Sequence, residues 1–292
     1  MLFRSSCALR GELRKAHERG LQTGVGSDWL RIGPLKLFAD GALGSRTAQL
    51  LEPYEGRTSD GYRGVPTLTP EEVSASMREA AEVGLDVAVH AIGDAAVRGV
   101  LDAYAATRMT CSALTKRLLR IEHAQLVHPD DVPRFAQLGV IASMQPIHAT
   151  ADWRAADAHW GARARHGYAW RDLLRAGATL AFGTDAPVEH IQPLENLHAA
   201  TARVDSHGEP AGGWYAEQSV SLKEAVRAYT VGSAVAERAS SRRGTLTPGM
   251  DADLVVLSPD PFVLEPAALR ETRVELTMAG GRITFEGAET AP

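Results

Sequence analysis

The feature that most limits the fold is a recurring alternation of short, almost wholly apolar runs with segments of helical period. The runs are Leu35–Phe38, Val87–Val89, Leu118–Ile121, Val140–Met144 and Ala178–Phe182. A charged helical stretch around Glu12 to Glu18 precedes the first, and a long Gly-rich connection, Asp40 to Leu68, follows it. Thr69-Pro70-Glu71-Glu72 then opens a helix: Thr69 caps it, Pro70 takes the first helical position and Glu72 closes a capping box. Val73, Met77, Ala80 and Ala81 give that helix one apolar face, and Gly84 ends it. Further helices are expected over about Ala95–Ala105, from Pro129 to Gly139, and around Trp170–Arg175. Strands that alternate with helices pair in parallel, because a parallel neighbour needs a crossover and a helix is its usual form. Runs without polar alternation predict a sheet covered on both faces.

Past Ile191 the pattern changes. Ser221-Leu222-Lys223-Glu224 is a second capping box, opening a helix that runs to about Glu237. From Gly244 onward, Leu254–Leu257, Val274–Thr277 and Arg282–Phe285 read as short strands separated by turns. They predict a small all-β unit, packed against the α/β part.

Composition removes several function classes. The chain of 292 residues is 45% hydrophobic and 23% charged, with a net charge of −5, so a general nucleic-acid binder with its basic excess is excluded. No apolar run reaches the roughly 18 residues that would span a bilayer, so no membrane partner is expected. Arg4, Arg10, Arg14, Lys15 and Arg19 crowd the first twenty residues without an apolar stretch, unlike a signal peptide. Two cysteines, Cys7 and Cys111, make no disulfide framework, and a reducing, cytoplasmic setting is the expectation.

The residues that carry chemistry sit in or just after the strands: Lys36, His90, His123 and Asp185. Reactive groups of parallel α/β barrels gather at the carboxyl ends of strands. Imidazoles and a carboxylate presented from rigid elements are what a metal ion requires. Each residue also has a plainer reading: Lys36 paired with Asp40, the histidines as hydrogen-bonded structural residues, and Asp185 as the opening of a turn before Pro187. A lysine inside Leu35–Phe38 is costly to bury unless it is paired or chemically altered. Recurrence at successive strand ends favours the site.

Five segments together carry a resemblance to a known family. They are Lys36-Leu37-Phe38-Ala39-Asp40-Gly41-Ala42-Leu43-Gly44-Ser45-Arg46-Thr47, His90-Ala91-Ile92-Gly93-Asp94, Ile121-Glu122-His123-Ala124-Gln125, Gly183-Thr184-Asp185-Ala186-Pro187-Val188 and Gly244 to Val256. The series resembles the amidohydrolase superfamily, in particular its amidohydrolase 3 group of N-substituted formamide deformylase-like enzymes. The resemblance implies a partial TIM-like (β/α)8 barrel, about strands four to eight, over residues 1–240. A small carboxyl-terminal β-sandwich portion would occupy residues 241–292. It implies metal-dependent hydrolysis of non-peptide C–N bonds, with Lys36 carboxylated to a bridging carbamate. His90 and His123 would be metal ligands, and Asp185 would be both ligand and proton acceptor. The metal is a divalent ion, with zinc favoured, and ions of this kind make water nucleophilic near neutral pH. The substrate is a small amide-type molecule. Ser45, Arg46, Gln145 and His148 are candidate substrate contacts, Asp94 is a helix cap supporting the ligands, His190 is a loop residue, and Trp153 is open between lining a pocket and packing.

The family's His-x-His pair is absent from this sequence. Five strand candidates against the eight of a closed barrel point to a carboxyl-terminal portion, able to hold at most one of the family's one or two ions. The alternatives are a catalytically inactive fragment, or one chain of a split enzyme completed by a polypeptide that supplies the missing half. A homo-oligomer is a further expectation.

Overall fold

A computed structural model describes residues 3–7, 13–28 and 30–287. The chain divides into two compact units, which within the described residues are 3–144 with 151–180, and 145–150 with 181–287.

The first unit is built on a sheet whose strands run in the order β1 (Phe3–Cys7), β2 (Leu30–Phe38), β3 (Val87–Ala91), β4 (Leu119–His123), β5 (Ile141–Met144) and β6 (Thr179–Phe182). Strands β1 to β5 pair in parallel throughout. The helices are α1 (Leu13–Glu18), α2 (Pro70–Glu82), α3 (Asp94–Thr110), α4 (Val132–Leu138), α5 (Pro146–Trp160) and α6 (Trp170–Arg175); residues 146–150 of α5 and 181–182 of β6 count to the second unit. The expected strands appear within a few residues of their predicted ends. One strand was not expected: β1, which pairs with an amino-terminal extension of β2 reaching back to Leu30.

The expectation of a sheet covered equally on both faces is corrected. Leu35, Leu37, Val87, Val89, Leu119 and Ile121 are all at most 3% exposed and form the covered face. Burying a side chain of this size contributes roughly 1.5–3 kcal/mol. Helix α3 packs on β3 and on α2, and Met77, Val97 and Leu101 are fully buried. The opposite face carries the register rows Lys36–Ala88–Arg120 and Phe38–His90–Glu122–Ser143. Phe38 is half exposed there, and Lys36, His90, Arg120, Glu122 and Ser143 are partly so. Polar side chains thus collect on this face among apolar neighbours such as the buried Ala88 and Ile141, the register partner of Arg120, as the period-2 geometry of a pleated sheet allows.

Both capping boxes form. In α2 the Thr69 amide donates to Glu72 Oε2 at 2.9 Å, and the Glu72 amide donates to Thr69 Oγ1 at 3.2 Å. Ser221 and Glu224 repeat this at the start of α8 (Leu222–Arg227) in the second unit. Helix α3 is closed differently, which corrects the expectation that Asp94 is its cap. Gly93 is the cap residue and makes no side-chain bond; instead the Gln49 carbonyl accepts from the Ala95 and Ala96 amides at 3.1 and 3.4 Å. A Cβ on Gly93 would lie 2.0 Å from that carbonyl, so the position needs glycine.

The second unit contains α7 (Pro193–Ala202), α8 and an antiparallel sheet of β7 (Leu254–Ser258), β8 (Arg273–Ala279) and β9 (Arg282–Glu286). Gly280 and Gly281, at φ +57° and +76°, make the β8–β9 turn, a geometry that side chains disfavour. The three strands fall where the sequence predicts them.

Candidate metal centre

In the first unit the chain rises through β2, β3 and β4 and presents Lys36, His90 and His123 at or near their carboxyl ends. The side chain of Lys36 lies on the partly exposed face with its Nζ 5.2 Å from the centre of the Phe38 ring. The Phe38 ring in turn lies 5.2 Å from that of His90, its register partner. By strand alternation His123 belongs to the other face, since it pairs with Ala91 rather than His90. The backbone overrides that assignment: His123 has φ +74° and Ala124 φ +41°, a left-handed pair uncommon for residues with a Cβ. The His123 ring meets His90 edge to face, with centres 4.5 Å apart. Two imidazoles from adjacent parallel strands are thus brought side by side.

Asp40 organises this end of the sheet. It is 2% exposed and accepts the backbone amides of Gln49 at 2.8 Å, Ile92 at 3.0 Å and Gly93 at 2.8 Å. Burial pushes its carboxyl up to about 7, against the downward pull of those three amides. Asp40 thus serves as a backbone acceptor that joins the loop after β2 to the end of β3. His90 Nε2 lies 2.9 Å from the Gly41 carbonyl and 3.6 Å from Asp40 Oδ1. A proton on Nε2 serves both oxygens and leaves the lone pair on Nδ1, the tautomer in which Nδ1 can ligate. Gly41 reaches this position only without a side chain, because a Cβ would lie 2.0 Å from Thr47 Oγ1. The sequence signal for Asp40 was its place in the segment after Lys36; its hydrogen bonds are long-range and leave no local trace.

The other expected residues are placed as follows. Ser45 and Arg46 lie exposed in the loop after β2, with Ser45 Oγ 2.7 Å from Thr47 Oγ1. Asp94 is buried and accepts the Leu51 amide at 2.9 Å, fastening the same loop. Trp153 lies on α5 under the guanidinium of Arg154, 4.1 Å from its ring centre. Helix α5, which the apolar periodicity of the sequence does not signal, spans this stretch.

In the second unit, Asp185 is exposed at φ +58° and opens a turn in which the Val188 amide donates to its carbonyl at 2.9 Å. Gln145 and His148 are buried in this unit, and His148 offers a ring nitrogen within 4.8 Å of an Asp185 carboxylate oxygen. The sequence presents His148 as a substrate contact, with no tie to Asp185. His190 lies in a loop, as expected.

In the first unit, the paired imidazoles of His90 and His123 are ligand types that suit a divalent first-row ion. Comparison with known proteins agrees. A model of the amidohydrolase family matches residues 3–285. This chain belongs to the amidohydrolase family. The N-substituted formamide deformylase of Arthrobacter pascens is 31% identical over 263 residues, covering 88% of this amidohydrolase and 46% of that enzyme. Protein LONG AFTER FAR-RED 3 of Arabidopsis thaliana is 37% identical over 241 residues, covering 82% of the present chain and 40% of the relative. A crystal structure of an uncharacterized metal-dependent hydrolase from Pyrococcus horikoshii superposes with a TM-score of 0.76 at 35% identity, covering 88% of this amidohydrolase and 50% of that chain. The chain spans about half the length of the relatives it matches. Among the described residues, no helix is long and apolar enough to cross a membrane.

Proposed function

We propose that this amidohydrolase binds a divalent metal, zinc being favoured, and hydrolyses a non-peptide C–N bond of a small amide-type substrate. The observation that carries the reading is the His90–His123 pair: adjacent strand ends, rings 4.5 Å apart, and a backbone carbonyl that fixes the tautomer of one of them. On this reading the sheet is part of a (β/α)8 barrel over residues 1–240, and β1 extends the expected strands four to eight by one. Residues 241–292 would be the β-sandwich portion.

His90 and His123 would hold the ion, with Lys36 as a carbamate ligand and Asp185 as the carboxylate. When bound, the ion supplies a Lewis acid that polarises the substrate carbonyl and lowers the pKa of water. Asp185, exposed at a strand end, takes the proton from the attacking water and returns it to the departing amine nitrogen. His148, beside Asp185 in the same unit, orients that carboxylate and, with Gln145, faces substrate. Ser45 and Arg46 contribute from the loop after β2. The Gly41 carbonyl and Asp40 hold His90 in its ligating tautomer.

The test is elemental analysis of the purified full chain after zinc loading and dialysis. Up to one ion per chain is expected, lost in both His90→Ala and His123→Ala. Equal metal content in parent and variants refutes the reading.

A further inference from the structure

A cleft of about 450 Å³ opens in the first unit, bounded by the loop after β2, the first turns of α3, the segment after β4 and the turn after α5. All four boundaries follow the carboxyl ends of strands, yet none of the proposed metal ligands lines it. Its floor is apolar, formed in part by Leu51, Leu126 and Pro129.

The polar groups around that floor are unbalanced toward donors. Arg98 is held by one bond, Nε to Asp131 Oδ2 at 2.8 Å, and Asp131 also takes Arg134 at 2.8 Å. The two terminal nitrogens of Arg98 have no hydrogen-bond partner among the described residues. Arg163 donates from its three nitrogens to the carbonyls of Trp160, Glu52 and Pro53, at 3.1, 2.8 and 2.6 Å. It makes no ion pair among the described residues, and the buried Asp94 carboxylate acts on it only through space. His128 Nδ1 faces Asp130, 3.3 Å from its amide and 3.5 Å from its carboxylate, which leaves Nε2 for a ligand. The two acids of the cleft are already engaged. Asp94 turns to the Leu51 amide, and Glu52, whose side chain is 71% exposed, lies 3.8 Å from Arg63.

A partly buried guanidinium without an ion pair, next to a second one with unused donors, is the chemistry that receives a carboxylate. The apolar floor adds a demand for hydrocarbon, and the volume lies in the range of small-molecule sites. We propose that this cleft is a second ligand site, one that takes a small organic carboxylate with an apolar body. Arg98 and His128 hydrogen-bond the carboxylate, Arg163 supplies the field, and Leu51, Leu126 and Pro129 receive the body. The bonds from Asp94 and Arg163 to the loop after β2 hold the walls in place before the ligand arrives.

The experiment is a calorimetric titration of the full chain with 3-phenylpropionate, with its neutral amide and with inorganic phosphate. Saturable binding of the carboxylate is expected, with at least tenfold weaker binding of the amide and of phosphate. Arg98→Met and His128→Glu should each weaken the carboxylate at least tenfold, and circular dichroism reports whether either variant still folds. His123→Ala should leave the affinity unchanged. No saturation, equal binding of the amide, or equal binding of phosphate overturns the proposal. So does affinity that survives in the folded Arg98 and His128 variants but is lost in His123→Ala, because the ligand then sits at the metal centre.

Discussion

Removing the Asp40 carboxylate exposes how much of this unit one side chain holds. It receives three backbone amides, those of Gln49, Ile92 and Gly93, at 2.8 to 3.0 Å in a site 2% exposed. Asp40→Ala leaves three donors with no acceptor, and a buried orphan costs about 1–3 kcal/mol. The losses share one cavity and do not add fully, so the expected destabilisation is about 4 kcal/mol. Asp40→Asn restores one oxygen. It can serve the Gln49 and Gly93 amides, which share Oδ2, but its NH2 then confronts the Ile92 amide; the expected cost is about 2 kcal/mol. Urea unfolding at pH 8, where the parent carboxyl is ionised, gives both numbers. Hydrogen exchange at the three amides gives a local readout that a generally weakened protein would not single out. A variant within about 1 kcal/mol of the parent, or unchanged protection of those amides, refutes the reasoning.

Three further outcomes are expected. Burial first, with Arg270 adding repulsion, lowers His198 from 6.5 to about 4. The folded state then refuses a proton that the unfolded chain accepts, so this contribution is full above pH 6.5 and is lost as pH falls toward 4. Relative to His198→Gln the parent should lose about 3 kcal/mol between pH 7.5 and 4 in urea titrations, and a constant difference would count against it. Gly93→Ala pushes a methyl against the Gln49 carbonyl, so the loop must move or α3 must lose its cap. Thermal melts should show a loss of at least about 2 kcal/mol, and a neutral substitution would mean that the close approach is not real. Glu72→Ala breaks one half of the α2 capping box and should cost about 1 kcal/mol in the same assay, with no change in bound metal.

What was legible in the sequence was whatever local chemistry writes down. Pro70 with Thr69 and Glu72, and Ser221 with Glu224, fix helix starts through bonds three residues long, and both starts are found as expected. The strands β3 to β6 are short apolar runs between turn signals and appear almost in place. Strand β1 has the sequence Phe-Arg-Ser-Ser-Cys, with no alternation to betray it, and owes its form to pairing with β2. Helix α5 was hidden because its apolar residues do not gather on one face, so periodicity gave nothing to read. The two-faced sheet was missed because one lysine or histidine in a five-residue run looks like an exception. Only the register rows show that Lys36, His90 and Glu122 share a side. Within the site, the strand-end positions of His90 and His123 could be read, but the turn that brings their rings together could not. Pattern reading assumes regular alternation, and a positive φ at a histidine breaks it.

The carbonyl of Gln49 standing in for a cap on α3 has a consequence for how this protein tolerates change. A helix capped by its own serine or aspartate can be edited without regard to distant segments, whereas here the register of a loop forty-odd residues upstream decides whether α3 begins at all. Insertions or deletions between Asp40 and Leu51 would therefore be transmitted straight to the His90 strand end, while the exposed tip around Arg57 and Asp60 is closed by its own ion pair and is free to vary in length. Grafts intended to alter this protein's surface belong at that tip.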